Sequence, residues 1–147
     1  TVLEQGAVHL GVAAAVDEGL TVPVVTNAHT MGLRQLSAAI RTVVGKAREN
    51  RLGPDEVSGS TFSISNMGML NVDNFLAIIN EPNAAILAVS SVRRKVVLVE
   101  DSEDELEIRH RMNIAASFDH RVVDGAIGAQ FVNTVAAYLE NPTRLLG

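Results

Sequence analysis

One stretch of this sequence is dense in groups that can do chemistry: Ser117-Phe118-Asp119-His120-Arg121-Val122-Val123-Asp124-Gly125. The apolar run before it reads as a strand and the run after it as a helix, so His120 falls at a strand-to-helix junction. An imidazole has an ordinary pKa near 6.5, so at neutral pH it can accept a proton from a substrate. Asp124 is placed to cap the following helix through its carboxylate. Asp119 and Arg121 can pair with opposite charges and hold the turn. Spacing alone leaves two readings of His120 open, a catalytic base and a structural polar residue. His9, His29 and His110 are read as structural or solvent-facing.

The elements that must position this turn follow from the hydrophobic pattern. Val8–Val16 is predicted as a strand, Asp17-Glu18-Gly19 as a turn and Leu20–Val25 as the returning strand. Pro23 donates no hydrogen bond and should sit at an edge or a bulge. Thr30 to about Asn50 is predicted helical, with Leu33, Leu36, Ile40, Val43, Val44 and Ala47 at helical spacing; Leu52-Gly53-Pro54 ends it. Ser60–Ser65 alternates with period two, as a half-buried strand does, and Asn66-Met67-Gly68-Met69 breaks it. Asp73 is a candidate cap for a short helix through Phe75, Leu76 and Ile79. Asn80-Glu81-Pro82-Asn83 is a second break, and Ala84–Ser90 has the continuous apolar character of a strand buried on both faces.

Val96–Val99 is predicted to continue that strand after the basic patch Arg93-Arg94-Lys95, and the acidic tip Asp101–Glu105 joins it to a second strand, Leu106–Phe118. In the second, Ile108, His110, Met112, Ile114, Ala116 and Phe118 share a face. The last helix is predicted from Asp124 or Gly125 to Glu140, with Ile127, Phe131, Val135 and Leu139 as its buried stripe. The order strand, strand, helix, strand, strand, strand, helix points to a layered α/β sandwich.

Composition bounds the function classes. The 147 residues suffice for one domain. With 47% apolar and 20% charged residues the chain has globular composition rather than that of a disordered segment. A net charge of -5 supplies no field for DNA phosphates or anionic lipid, and 3% aromatics leaves no stacking platform for single strands. The absence of cysteine excludes disulfides, thiolate metal sites and cysteine nucleophiles. No apolar run reaches the roughly 18 residues that span a bilayer. Thr1-Val2-Leu3-Glu4 lacks the charged start of a signal peptide, and a first residue other than Met fits a processed chain or a piece of something longer.

Asp-His-Arg-Val-Val-Asp-Gly at 119–125 resembles the signature of the catalytic domain of the E2 components of 2-oxo acid dehydrogenase complexes, the dihydrolipoamide acyltransferases. These share a His-x-x-x-Asp-Gly motif with chloramphenicol acetyltransferase. Three further segments are similar to the family in the same order: Gly19–Val25 to its early hairpin, Gly59–Met69 to its serine strand, and Ala77–Val89 to the segment that follows. The serine strand and the proline segment are most similar to the pyruvate type, the acetyltransferases, with branched-chain and other types close.

The resemblance implies a chloramphenicol-acetyltransferase-like layered sandwich, a mixed β-sheet with helices packed on it. It implies transfer of an acyl group, acetyl for the pyruvate type, between the thiols of dihydrolipoamide and coenzyme A, which are the two substrates. No metal is implied. His120 takes the position of the general base, Ser65 that of the hydroxyl that donates to the oxyanion, and Asp124 an orienting or electrostatic position; Asn66 and Met67 are candidate channel residues. Residues 1–147 would be the catalytic domain without its N-terminal part, and no lipoyl or peripheral-subunit-binding domain is visible.

The implied partners are further copies of the chain, in trimers and a larger cubic or icosahedral core. Lipoyl domains are implied too, and the E1 and E3 components through domains absent here. The faces Gly125-Ala126 and Gly128-Ala129 would permit close approach between subunits, and Leu145 and Leu146 contact between trimers. The implied location is the cytoplasm of a bacterium or the mitochondrial matrix of a eukaryote. Rival readings are a noncatalytic assembly core of the same family and a metal-dependent hydrolase using His120 and Asp124, for which spacing suggests no third ligand. A serine hydrolase lacks its Gly-x-Ser-x-Gly elbow.

Overall fold

The structure, a computed structural model, describes residues 2–99 and 104–145. Its centre is a mixed six-stranded sheet in the order β2-β1-β4-β5-β8, with β3 also on β1. The predicted first hairpin forms, but its return arm is divided. β1 (Leu10–Val16) pairs antiparallel with β2 (Gly19–Thr21) and again with β3 (Val24–Val25). Pro23 lies between the two short strands, buried, and its carbonyl accepts the Val12 N–H at 2.9 Å. A residue with an acceptor and no donor marks the interruption expected of it.

The chain then turns through Ala28–Thr30 and enters α1 (Leu33–Arg48), which starts after Gly32, later than the predicted Thr30. α1 lies against β1 and β3. Leu10, Val25, Ala28 and Val43 form the core there, with Leu36, Ile40, Val44, Phe62 and Ile64 packed around them. β4 (Phe62–Asn66) runs parallel to β1 and to β5 (Ala85–Val89). β5 is almost fully buried, as its unbroken apolar run requires.

Three predicted features are corrected. The helix from Asp73 does not form; residues 72–80 contain neither helix nor strand. The Asp73 carboxylate faces Arg93 and Lys95, each at 3.5 Å, instead of capping a helix. The carbonyls of Asp73 and Ala77 accept from the side chains of Asn113 (2.8 Å) and Ser117 (2.6 Å), so tertiary partners replace the helical ladder.

The predicted strand Leu106–Phe118 is two strands in two sheets. β7 (Leu106–Arg111) pairs with β6 (Arg93–Leu98) in a separate hairpin, and β8 (Ile114–Phe118) joins β5 antiparallel. The break is at Met112-Asn113, where the Asn113 carbonyl accepts the Ser90 N–H at 3.1 Å and its amide reaches Asp73. β6 begins inside the basic patch rather than after it. Of the acidic tip, Asp101–Glu103 lies outside the described residues; the Val99 N–H donates to the Glu105 carbonyl at 2.9 Å and closes the expected hairpin.

The stripe assigned to the last helix is also different. α2 (Gly125–Glu140) forms as predicted, but Ile127, Phe131 and Leu139 are exposed and Val135 is half-buried. Gly128 is its one buried residue, pressed on the Phe118 ring of β8, while the Phe131 ring meets those of Phe62 and Phe118 at 5.6 and 6.1 Å. The close approach that Gly128 permits is thus within the chain. Ile127 and Leu139 are left uncovered by the described residues. Leu145 is exposed in the turn Pro142–Leu145, and Leu146 lies outside the described residues.

Gly11 of β1 shows how tight the sheet is under its α1-facing core. A β-carbon there would stand 2.8 Å from Ser63 Oγ, 2.9 Å from Val22 Cγ1 and 3.1 Å from Ser60 Cβ. Overpacking of this kind costs about 1–3 kcal/mol. Gly11→Ala is expected to lower unfolding free energy by about that amount in a denaturant titration with unchanged slope.

Candidate active site

Asp119 makes the turn after β8. Its N–H donates to the Ala84 carbonyl at 2.8 Å, one rung beyond the Ala85–Phe118 pair of the sheet. Its carbonyl accepts the N–H groups of Val122 and Val123 at 2.9 and 3.0 Å. Its carboxylate accepts the Arg121 N–H at 3.0 Å and the Arg121 guanidinium through Nε (2.9 and 3.1 Å) and a terminal nitrogen (2.6 Å). These bonds hold the carboxyl down at about 2, against an ordinary 3.8. The same contact raises the Arg121 pKa, with a smaller contribution from Glu81 across the turn. Asp119 thus holds the turn through its N–H, its carbonyl and its carboxylate, and His120 takes no part in these bonds.

His120 stands between Asp119 and Arg121. Its ring is exposed and hydrogen-bonded to none of the described residues. Four residues on, Asp124 has extended backbone and accepts the Ile127 N–H at 2.9 Å, the N-cap that starts α2. Residues 120–123 are a turn rather than helix, so His120 and Asp124 do not share a helical face as a two-residue metal grip would need. Among the described residues no three of His, Asp and Glu converge on a common point.

Ser65 is half-buried near the end of β4. Asn66 follows, exposed, and its side-chain oxygen accepts the Gly68 N–H at 2.8 Å; Met67 is half-buried and donates its N–H to the Val89 carbonyl at 3.0 Å. The sheet register fixes where this serine lies relative to the histidine. Ser65 is level with Ala88, and Ala88 with Ala115 of β8. Asp119 is four residues further along β8, about 13 Å, and two strand spacings, about 10 Å, across. Within one chain, His120 and Ser65 lie at opposite ends of the sheet.

Two cavities flank this arrangement. A groove of about 380 Å³ opens between β8 and α2 beside the turn, lined by Ala116, Phe118, Gly125, Gly128, Ala129 and Val132. A larger one, about 700 Å³, lies at the far end of α2 among Arg109, His110, Arg111, Leu139 and Glu140. The remaining histidines behave as expected. The Nδ1 atoms of His9 and His29 accept the N–H groups of Asn27 and Val8 at 3.0 and 3.1 Å, and His110 is exposed on β7.

One polar cluster was not anticipated. Asn83, in the break before β5, is buried with Ser60 and Ser63. Its amide donates to Ser63 Oγ at 2.6 Å and Ser60 Oγ at 3.2 Å. In the sequence Asn83 is one of several polar residues in a proline turn, and nothing in its spacing marks it as interior.

The mixed sheet carries two helices and sets His120 on the turn between its last strand and the last helix. The sequence matches the 2-oxoacid dehydrogenases acyltransferase (catalytic domain) family over residues 1–147, and the chain belongs to that family. It is 39% identical, over 95% of its length, to the dihydrolipoyllysine-residue acetyltransferase component of the pyruvate dehydrogenase complex of Rickettsia bellii, of which it spans 32%.

Among solved structures, it superposes on Azotobacter vinelandii dihydrolipoamide acetyltransferase with TM-score 0.92 at 31% identity, over all of this chain and 59% of that one. In that enzyme a serine, a histidine and an asparagine have been investigated for their role in the catalytic mechanism. The cubic core of the pyruvate dehydrogenase multienzyme complex superposes equally well, TM-score 0.92 at 32% identity, again over all of this chain and 59% of that one.

The Asp119 clamp has a pH signature. Its carboxylate form is favoured in the folded turn, so its contribution is full above the ordinary value of 3.8 and is lost as pH falls through about 2. Carboxyl NMR titration is expected to find the Asp119 midpoint near 2, and Arg121→Ala to return it toward 3.8.

Proposed function

We propose that the chain carries the acyl-transfer centre of a dihydrolipoamide acyltransferase, acetyl-specific like its pyruvate dehydrogenase relatives, with dihydrolipoamide and coenzyme A as the two thiol substrates. The observation that carries this reading is the His120 turn: an exposed imidazole with no hydrogen-bond partner among the described residues, held by a clamp that uses its neighbours and leaves the ring to a substrate. The histidine and asparagine investigated in the Azotobacter enzyme are four positions apart, as are His120 and Asp124.

The reaction needs a thiolate, because the neutral thiol is a weak nucleophile. Neutral His120 takes the proton of the incoming thiol as its sulfur attacks the thioester carbonyl. The carbonyl oxygen becomes an oxyanion and receives a hydrogen bond from a Ser65 hydroxyl. Collapse expels the second sulfur as thiolate, and the His120 imidazolium returns the proton to it. Asp124 takes no proton; it anchors the start of α2 and places negative charge near the imidazolium. Since His120 and Ser65 of one chain stand at opposite ends of the sheet, the serine that serves a given histidine comes from a neighbouring copy. Asn66 and Met67, beside that serine, line the approach.

The exposed apolar residues of α2, with Val96, Leu98, Leu106 and Ile108 on the β6–β7 hairpin, support burial against other chains. The assembly proposed is a trimer within a larger core, served by lipoyl domains and by E1 and E3 through parts of the protein outside these residues. Such a complex would reside in a bacterial cytoplasm or a mitochondrial matrix. The same exposed surface favours a second reading, an assembly core without turnover. Native mass together with an acetyl-transfer assay separates the two.

His120→Ala is expected to lower acetyl transfer from acetyl coenzyme A to dihydrolipoamide by roughly 10²–10⁴. Ser65→Ala is expected to lower it by roughly 10²–10³, with both variants still assembled. Full activity of His120→Ala contradicts the proposed chemistry.

A further inference from the structure

The His120 turn rests on the segment that leads into β5. Ala84 gives its carbonyl to the Asp119 N–H, Ala77 gives its carbonyl to the Ser117 hydroxyl at 2.6 Å, and Glu81 adds its charge near Arg121. This segment, residues 77–84, is the floor under the turn, and it has no regular secondary structure to hold its own shape before Ala85. Side chains fix it, the Asn80 amide weakly at 3.5 Å from Ser60 Oγ and Asn83 at shorter range. Asn83 is 6% exposed and reaches down to Ser63, which is fully buried, and to Ser60. The Asn83 N–H also closes the local turn on the Asn80 carbonyl at 2.9 Å.

We propose that Asn83 is a positioning residue for His120, pinning the floor of the catalytic turn to β4 through Ser63 and Ser60. The inference rests on the acyltransferase reading above for its consequence in catalysis, though the pin itself is a matter of geometry. The chain of contacts is short: Ser63 Oγ to the Asn83 amide, Asn83 to its neighbour Ala84, the Ala84 carbonyl to the Asp119 N–H, and Asp119 to His120. Ser63 shares a strand face with Ser65, two residues on, so one pin ties the serine strand to the histidine turn.

Its hydrogen bonds are buried, and a buried amide or hydroxyl that loses its partner cannot turn to water for another. Removing Asn83 therefore lets the segment shift rather than rebond in place. A displacement of about 1 Å at a reacting group is enough to cost on the order of 10²-fold in rate.

The test uses the full-length assembled protein and the variants Asn83→Ala, Ser63→Ala and their double, with isosteric Asn83→Asp in reserve should Asn83→Ala not fold. Amide hydrogen exchange reads the pin without reference to activity. Protection at the Asp119 amide is expected to fall tenfold or more in Asn83→Ala while that of Val43, in α1, is unchanged. In kinetics well below the unfolding midpoint, kcat is expected to fall roughly 10–100-fold with KM for both thiols within twofold. The double variant should be no slower than the slower single one, because both changes break one pin.

Unchanged Asp119 protection overturns the pin. A lowered unfolding temperature with kcat within twofold of wild type overturns the positioning role and leaves Asn83 as packing. His120→Ala, assayed alongside, keeps these outcomes distinct from failure of the acyltransferase reading. If wild type shows no His120-dependent transfer, that reading falls while the exchange result still decides the pin.

Discussion

β5 is flanked by β4 running with it and β8 running against it, and this one reversal sets Ser65 and His120 at opposite ends of the sheet. Ser65 lies near the end of β4 at one end of the sheet, and Asp119 leaves β8 at the other. Backbone hydrogen bonds fix the register at every rung between them, so no side-chain rearrangement can bring the serine and histidine of one chain together. A slip by one residue would turn each buried side chain of β5 to the wrong face. In the proposed acyl-transfer chemistry the site is then completed by a second copy. The exposed aliphatic surface of α2 and of the β6–β7 hairpin has the character of surface that other chains cover.

The turn at the histidine end solves a different problem. The proposed general base needs a fixed backbone and a free ring, and these requirements are met by different residues. Asp119 is fully engaged: its N–H goes to the sheet, its carbonyl to the two residues that lead toward α2, and its carboxylate to Arg121. Asp124 is engaged at the helix start. His120 stands between two immobilised positions with its ring hydrogen-bonded to none of the described residues. The clamp relies on hydrogen bonds to an ionised carboxylate, which are stronger than neutral ones. It therefore tolerates the partial exposure of an active-site rim.

Periodicity carried much of the fold. β1, β4, β5, α1 and α2 lie where alternating or helical patterns place them, because their own side chains build the faces that bury them. Legibility failed where distant partners decide. Asp73 had a cap's composition, yet Arg93 and Lys95 hold its carboxylate and Asn113 its carbonyl. The run Leu106–Phe118 alternated without pause, and only the demands of Ser90 and Asp73 on Asn113 divide it.

α2 had the right period and a different buried residue, since Gly128 meets Phe118 while its larger side chains face outward. At the site, the spacing of His120, Asp124 and Gly125 was visible because it is local. Asn83 was not, because a polar residue in a proline turn looks like surface until the neighbouring strand supplies Ser60 and Ser63.

That a histidine from one subunit works with a serine from another is tested most directly by mixing two disabled chains. His120→Ala and Ser65→Ala subunits, unfolded together and reassembled, recover intact pairs at interfaces where an unaltered histidine meets an unaltered serine. Random mixing is expected to restore about a quarter of wild-type acetyl transfer, since each such pair needs one chain of each kind in order. Mixed assemblies as inactive as either variant alone would contradict a site shared between subunits.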